Sequence, residues 1–75
     1  MPHIAITLHP GRDDATKREI AEKVQQHYVD TFGTDVEAVS VSIVEVPAED
    51  FTETVQERYR NEDLYISSRA VPAND

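Results

Sequence analysis

Few residues in this chain are equipped for chemistry. Pro2 stands second, so removal of Met1 would leave a free secondary amine, a group able to take and return a proton. Arg12, within Gly11-Arg12-Asp13, carries a planar fork that can hold a carboxylate by two hydrogen bonds. His3, His9 and His27 lack the close spacing of a zinc motif and are not expected to bind metal. There are no cysteines, which excludes disulfides and thiolate metal sites. The carboxylates of Glu49, Asp50, Glu53, Glu57, Glu62 and Asp63 read as a solvated helix face. No Ser-His-Asp or phosphate-loop arrangement is legible.

Composition narrows the function classes. Seven Lys and Arg stand against fifteen Asp and Glu, a net charge of -8. Phosphate binding needs a basic face, so a nucleic-acid partner is not expected, and neither is an anionic membrane surface. No apolar run approaches the roughly 20 residues of a membrane span. Met-Pro-His-Ile has neither the basic region nor the apolar core of a signal peptide. A soluble, cytoplasmic protein is the expectation. With 75 residues the chain makes one domain, 1–75. A domain so small buries only about 60% of its unfolded surface and usually needs a disulfide, a metal or a partner subunit. Oligomerisation is the remaining source of buried area.

The elements that must position these residues can be read from periodicity. In residues 3–8, Ile4, Ile6 and Leu8 share one face and His3, Ala5 and Thr7 the other, the alternation of a strand. Pro10-Gly11 stops it. Asp13 or Asp14 then caps a helix that runs to about residue 31, with Ile20, Val24, Tyr28 and Phe32 recurring at i+4 on a charged cylinder. Gly33 suits its C-terminal cap. Residues 39–46 read as a second strand, with Val39, Val41 and Ile43 on one face, Ser40 and Ser42 on the other, and Val44 an exception on the polar side. Pro47 ends it. A short acidic helix follows, begun by Asp50 or Thr52, running to about residue 62 and bearing Phe51, Val55 and Tyr59. The tail, 64–75, is expected to be extended, to pack on a neighbouring subunit and to fray at its end. A helix between two strands favours a parallel pair with a right-handed crossover. Two strands are too few for a stable sheet, so the expected fold is an α/β subunit with a β-α-β core, its sheet completed by oligomerisation.

With Pro2, the alternating strand, Gly11-Arg12-Asp13, the long amphipathic helix, the strand Val-Ser-Ile-Val-Glu at 41–45 and Phe51 in place, the chain resembles the 4-oxalocrotonate tautomerase family. The resemblance runs without a gap from Pro2 to Phe51. The stretch after Glu45, through Val46-Pro47-Ala48-Glu49-Asp50-Phe51 to Asp63-Leu64-Tyr65, looks more like a short bacterial branch, the phenylpyruvate-type tautomerases. Several of these are homodimers, whereas other members are hexamers; the acidic second helix and longer tail favour the dimer. The resemblance implies a cofactor-independent keto-enol tautomerase with Pro2 as general base and acid, Arg12 binding the substrate carboxylate, and Phe51 an apolar wall that keeps the amine's pKa low. One departure stands out. Better-studied members carry a second arginine where this chain has Ser40.

The chemistry suits these residue types. A 1,3 keto-enol shift moves a proton from oxygen to carbon, and one group can make both transfers if its pKa lies near the working pH. A prolyl amine is too basic unless a nearby cation and an apolar wall disfavour its charged form, the effects expected of Arg12 and Phe51. With one arginine rather than two, the expected substrate is a monocarboxylate, an aryl- or alkyl-substituted 2-hydroxy-2-enoate. Its carbonyl oxygen has several candidate partners: the Ser40 hydroxyl, a backbone N–H of the first helical turn, or Arg58 or Arg60 of a neighbouring subunit. Ser40 can equally be a small residue facing a sheet interface, and His3, which alternation turns away from Pro2, reads as structural or interfacial. Relatives on this fold also hydrate or dehalogenate unsaturated acids, using a water-activating carboxylate with no counterpart identified here. A non-catalytic oligomeric binding module is the more distant alternative. Retention of Met1 would favour it, because the Pro2 nitrogen would then be an amide.

Overall fold

A computed structural model describes residues 1–73 and gives the order strand, helix, strand, helix, with short 3₁₀ turns. Strand β1 is His3–Leu8, helix α1 Asp14–Phe32, strand β2 Ser40–Glu45 and helix α2 Ala48–Gln56. The strands pair in parallel, His3 opposite Ser40 and Leu8 opposite Glu45. Backbone bonds extend the ladder at both ends, from Ser40 N–H to the Pro2 carbonyl (3.2 Å) and from Val46 N–H to the Leu8 carbonyl (2.8 Å).

Helix α1 forms where the charged cylinder was expected. Asp13 is its N-cap, accepting the Thr16 N–H at 2.8 Å. Gly33 closes it with φ 69°, a left-handed conformation that costs glycine nothing, and returns its N–H to the Val29 carbonyl at 2.9 Å. Gly11, at φ 123°, gives the sharp exit from β1. The helix lies over the face bearing Val41 and Ile43. Lys17 ties its first turn to the end of β2, reaching Glu45 at 3.4 Å and Asp14 at 3.5 Å, and the Glu45 hydrogen bond raises the Lys17 pKa.

Gln25 does more. Its amide donates to the carbonyls of Val36 (3.1 Å) and Val39 (3.0 Å), pinning the α1–β2 connection that delivers Ser40 to Pro2. Gln25→Met keeps the volume and strands both acceptors. Its unfolding free energy should fall by about 1–2 kcal/mol, read from urea denaturation, and an unchanged midpoint would refute the clamp.

The Asp13 carboxyl is held below its ordinary value of 3.8, chiefly by the hydrogen bonds from Thr16. A depressed carboxyl stabilises the fold above its unfolded pKa, and that contribution disappears as pH falls through the lower folded value. Helicity followed by circular dichroism should therefore decline below about pH 3.8 in part through Asp13. Asp13→Asn keeps a capping oxygen without the titration and should flatten that part of the acid limb.

Two expectations need correction. Helix α2 starts at Ala48 rather than at Asp50 or Thr52, and ends at Gln56 rather than near residue 62. Pro47, with φ -53°, serves as its N-cap, and Glu49 and Asp50 occupy the first turn, where the helix dipole favours carboxylates. The Arg58 N–H bonds the Val55 carbonyl at 3.0 Å, tightening the exit, and a 3₁₀ turn at Asn61–Asp63 follows. The tail is not extended throughout but turns at Ser68–Val71. It folds back on its own chain, with Thr52 Oγ donating to the Ala70 carbonyl at 2.6 Å and Val71 buried. The expectation for residues 74 and 75 lies outside the described residues.

The core is thin. Val39, Val46 and Val71, at 5%, 7% and 9% exposure, are the buried apolar residues among those described. Tyr65 and Ile66 are almost fully exposed, and Phe32 largely so. The radius of gyration is 13.8 Å, against about 11 Å for a compact domain of this length. Both strands are sheet edges, an open arrangement that fits completion by further copies. No described helix is long and apolar enough to cross a membrane.

Candidate active site

The parallel pair sorts the candidate residues to two ends of one sheet. Pro2 immediately precedes β1, is half-buried, and is fixed through its carbonyl by the Ser40 N–H. Ser40 opens β2 at the same end. Arg12 and Phe51 lie past the other end: Arg12 in the loop after β1, Phe51 in α2. Phe51 meets His9 edge-to-face with ring centroids 4.5 Å apart, which fixes α2 against the end of β1. At about 3.3 Å per residue, the strand separates Pro2 from His9 by more than 20 Å. A single chain thus brings Pro2 together with Ser40, and brings Phe51 to the segment leading to Arg12, but does not bring the two pairs together.

Arg12 is exposed and, among the described residues, its guanidinium has no ion-pair partner. Its two acidic neighbours are committed elsewhere, Asp13 to the Thr16 N–H and Asp14 to Lys17. The cap that starts α1 therefore leaves the preceding arginine available to an external anion. Arg60, by contrast, is engaged by Asp63 at 3.2 Å, while Arg58 is exposed.

Phe51 also borders an open groove of about 420 Å³ between β1, α2 and the returning tail. Ala5 and Thr7 form its floor; Val55, Tyr59, Leu64 and Val71 are among its walls. The lining is mostly apolar and large enough for a small ring or branched chain. The Tyr59 hydroxyl is buried and has no hydrogen-bond partner among the described residues. A second groove, about 450 Å³, runs between α1 and the edge of β2 and carries mixed charge, including Asp14, Lys17, Arg18 and Glu22.

Sequence reasoning missed a polar cluster beside Pro2. His3 Nδ1 lies 2.7 Å from Ser40 Oγ, and His3 Nε2 lies 2.9 Å from Ser42 Oγ. The alternation had placed all three on one face of their strands, but only the register sets His3 opposite Ser40. The Gln25 clamp was equally hidden, since a glutamine on a helix surface carries no signal of its own.

The chain thus presents a parallel β-α-β unit with its sheet left open, a proline before β1 and an exposed arginine after it. The family model for tautomerase enzymes matches residues 2–54. A probable tautomerase of Xylella fastidiosa (strain 9a5c) is 36% identical over 55 residues, covering 73% of this chain and 67% of the relative. Among solved structures, TomN, a 4-oxalocrotonate tautomerase homologue in the tomaymycin biosynthetic pathway, is 36% identical with a TM-score of 0.64, covering 67% of this chain and 77% of TomN. Apo unfused 4-OT is 27% identical with a TM-score of 0.62, covering 97% of this chain and all of that one. The chain belongs to the tautomerase family and is an isomerase.

Proposed function

We propose that this protein is a cofactor-independent keto-enol tautomerase acting on a monocarboxylate 2-hydroxy-2-enoate, with the Pro2 amine as base and acid. The observation that carries the reading is the exposed guanidinium of Arg12, which has no ion-pair partner among the described residues because its acidic neighbours are engaged elsewhere, and which can receive a carboxylate. The apolar groove beside Phe51 suits an aryl or branched alkyl substituent on the same substrate.

The step balances as follows. The enol O–H bond breaks and its proton passes to the Pro2 nitrogen; the bonding pair remains on oxygen. That enolate forms its C=O bond while the C=C pair takes the proton back from the prolinium at C3. No other reactant is consumed. The amine must be neutral for the first transfer, which a cation and an apolar wall favour.

Because Pro2 and Arg12 lie at opposite ends of β1, the working site requires two copies. A neighbour running antiparallel to β1 would bring its Arg12 and Phe51 toward the first chain's Pro2, and two-fold symmetry would make two such sites per dimer. The partners are accordingly a small carboxylate and a second copy of this chain in a homodimer working in the cytoplasm.

Ketonisation of phenylenolpyruvate, followed by ultraviolet absorbance with loss of Met1 verified by intact mass, tests the reading. Acceleration well above buffer is expected. A correctly processed protein without it would point instead to hydration, dehalogenation or a non-catalytic role.

A further inference from the structure

The backbone of His9 is held from both sides. The Val46 N–H bonds the Leu8 carbonyl at 2.8 Å, carrying the ladder to the residue before it. Pro10 follows, and a residue before proline is confined to extended backbone. His9 therefore continues the alternation of β1, on the face of Ala5 and Thr7. Helix α2 lies over that face, and there the His9 ring meets Phe51 edge-to-face, with centroids 4.5 Å apart and planes at 81°. Among the described residues the His9 nitrogens make no hydrogen bond. The imidazole contributes a ring and no polar contact.

Phe51 needs such a contact. It is only half-buried and borders an open groove. The strand residues across that groove, Ala5 and Thr7, are small and leave room for the ring to turn. An apolar wall lowers an amine's pKa only while it keeps water from the charged form. A wall that swings away loses that effect, and an edge-to-face aromatic partner is what restrains it.

We propose that His9 is a positioning residue whose ring clamps Phe51 in the orientation that shields the neighbouring chain's Pro2 amine from water. This rests on the tautomerase reading and gives its apolar wall a reason to stay in place. His9 moves no proton and touches no substrate, so the balance of the step is unchanged. The contact is ring on ring, so another aromatic ring can replace the imidazole.

The pH dependence of kcat/KM for phenylenolpyruvate, measured on the processed protein, tests the assignment, because its acid limb reports the amine of the free enzyme. His9→Ala should move that limb upward by about half a pH unit, since a loosened wall readmits water to the ammonium form. The loss should be about threefold on the acid side and small on the alkaline plateau, whereas a damaged fold loses rate at every pH. Phe51→Ala should move the limb the same way, and adding His9→Ala to it should move it no further. His9→Phe keeps a ring and removes the titrating imidazole. It should return the limb to its wild-type position, which also excludes His9 as the group being titrated. An unmoved limb in His9→Ala, additive shifts in the double variant, or a His9→Phe protein that behaves like His9→Ala would overturn the proposal. Pro2→Ala and Phe51→Ala separate the levels. If Pro2→Ala abolishes turnover while Phe51→Ala leaves the limb unmoved, the wall fails and this proposal with it, but the proline mechanism stands. If Pro2→Ala leaves turnover intact, the mechanism itself fails.

Discussion

Replacement of Pro2 by alanine is expected to lower kcat/KM for phenylenolpyruvate by at least about a hundredfold, the lower range of what a positioned general acid–base group supplies. The variant keeps an N-terminal amine, so the loss does not come from removing nitrogen. It comes from geometry. The pyrrolidine ring fixes φ and holds the nitrogen rigidly against the strand start, whereas an alanyl amine rotates and must be ordered in each turnover. The half-buried position of Pro2 and the anchoring of its carbonyl by Ser40 explain why that rigidity has a defined direction. The fold should be untouched, because Pro2 precedes β1 and the Ser40 bond uses a carbonyl that alanine retains. A protein that keeps Met1 should behave like the variant or worse, since an amide nitrogen cannot serve as the base. Activity within about tenfold of wild type in a mass-verified Pro2→Ala protein would remove Pro2 from the mechanism.

Particular residues show what could be read from the sequence and what could not. The alternation of β1, the i+4 stripe of α1, the Asp13 cap and the Gly33 exit are local signals, set by the chemistry of residues within one or two turns. The start of α2 was local too but ambiguous. Pro47 both ends a strand and precedes a helix, and the acidic pair after it fits a first turn as well as an interior. The tail was beyond reach because its contacts are long-range: Ala70 is held by Thr52, and the groove it helps to close rests on Ala5 and Thr7.

The candidate site divides the same way. Pro2, Arg12, Phe51 and Ser40 were legible as residue types at given positions. Their separation was implicit as well, because a straight strand drawn between Pro2 and Arg12 cannot return on itself. The His3–Ser40–Ser42 chain needed the register of the parallel pair, which two short alternating segments do not specify. Nor could the sequence show that Arg12 has no ion-pair partner among the described residues. Two adjacent aspartates suggest neutralisation, and only the geometry of the first helical turn diverts them to Thr16 and Lys17.

Mixing two inactive proteins is expected to restore activity if the site is shared between chains. Pro2→Ala lacks the base, and Arg12→Ala lacks the carboxylate receptor. In a mixed dimer one site combines both defects. The other combines the intact Pro2 of one chain with the intact Arg12 of its partner. Random exchange puts half of the chains into mixed dimers, so recovery of about one quarter of wild-type activity follows from two-fold symmetry. Neither homodimer can contribute, because each of its sites lacks one of the two groups. A site built within one chain predicts no recovery under the same conditions, since every chain carries a defect. The strand geometry favours the first outcome: more than about 20 Å of extended backbone lies between Pro2 and the segment leading to Arg12, a span no side chain bridges. Subunit exchange should be promoted by mild denaturant and confirmed by native mass spectrometry of differently labelled chains. Confirmed exchange without recovered activity would show that Pro2 and Arg12 do not serve one site across the interface.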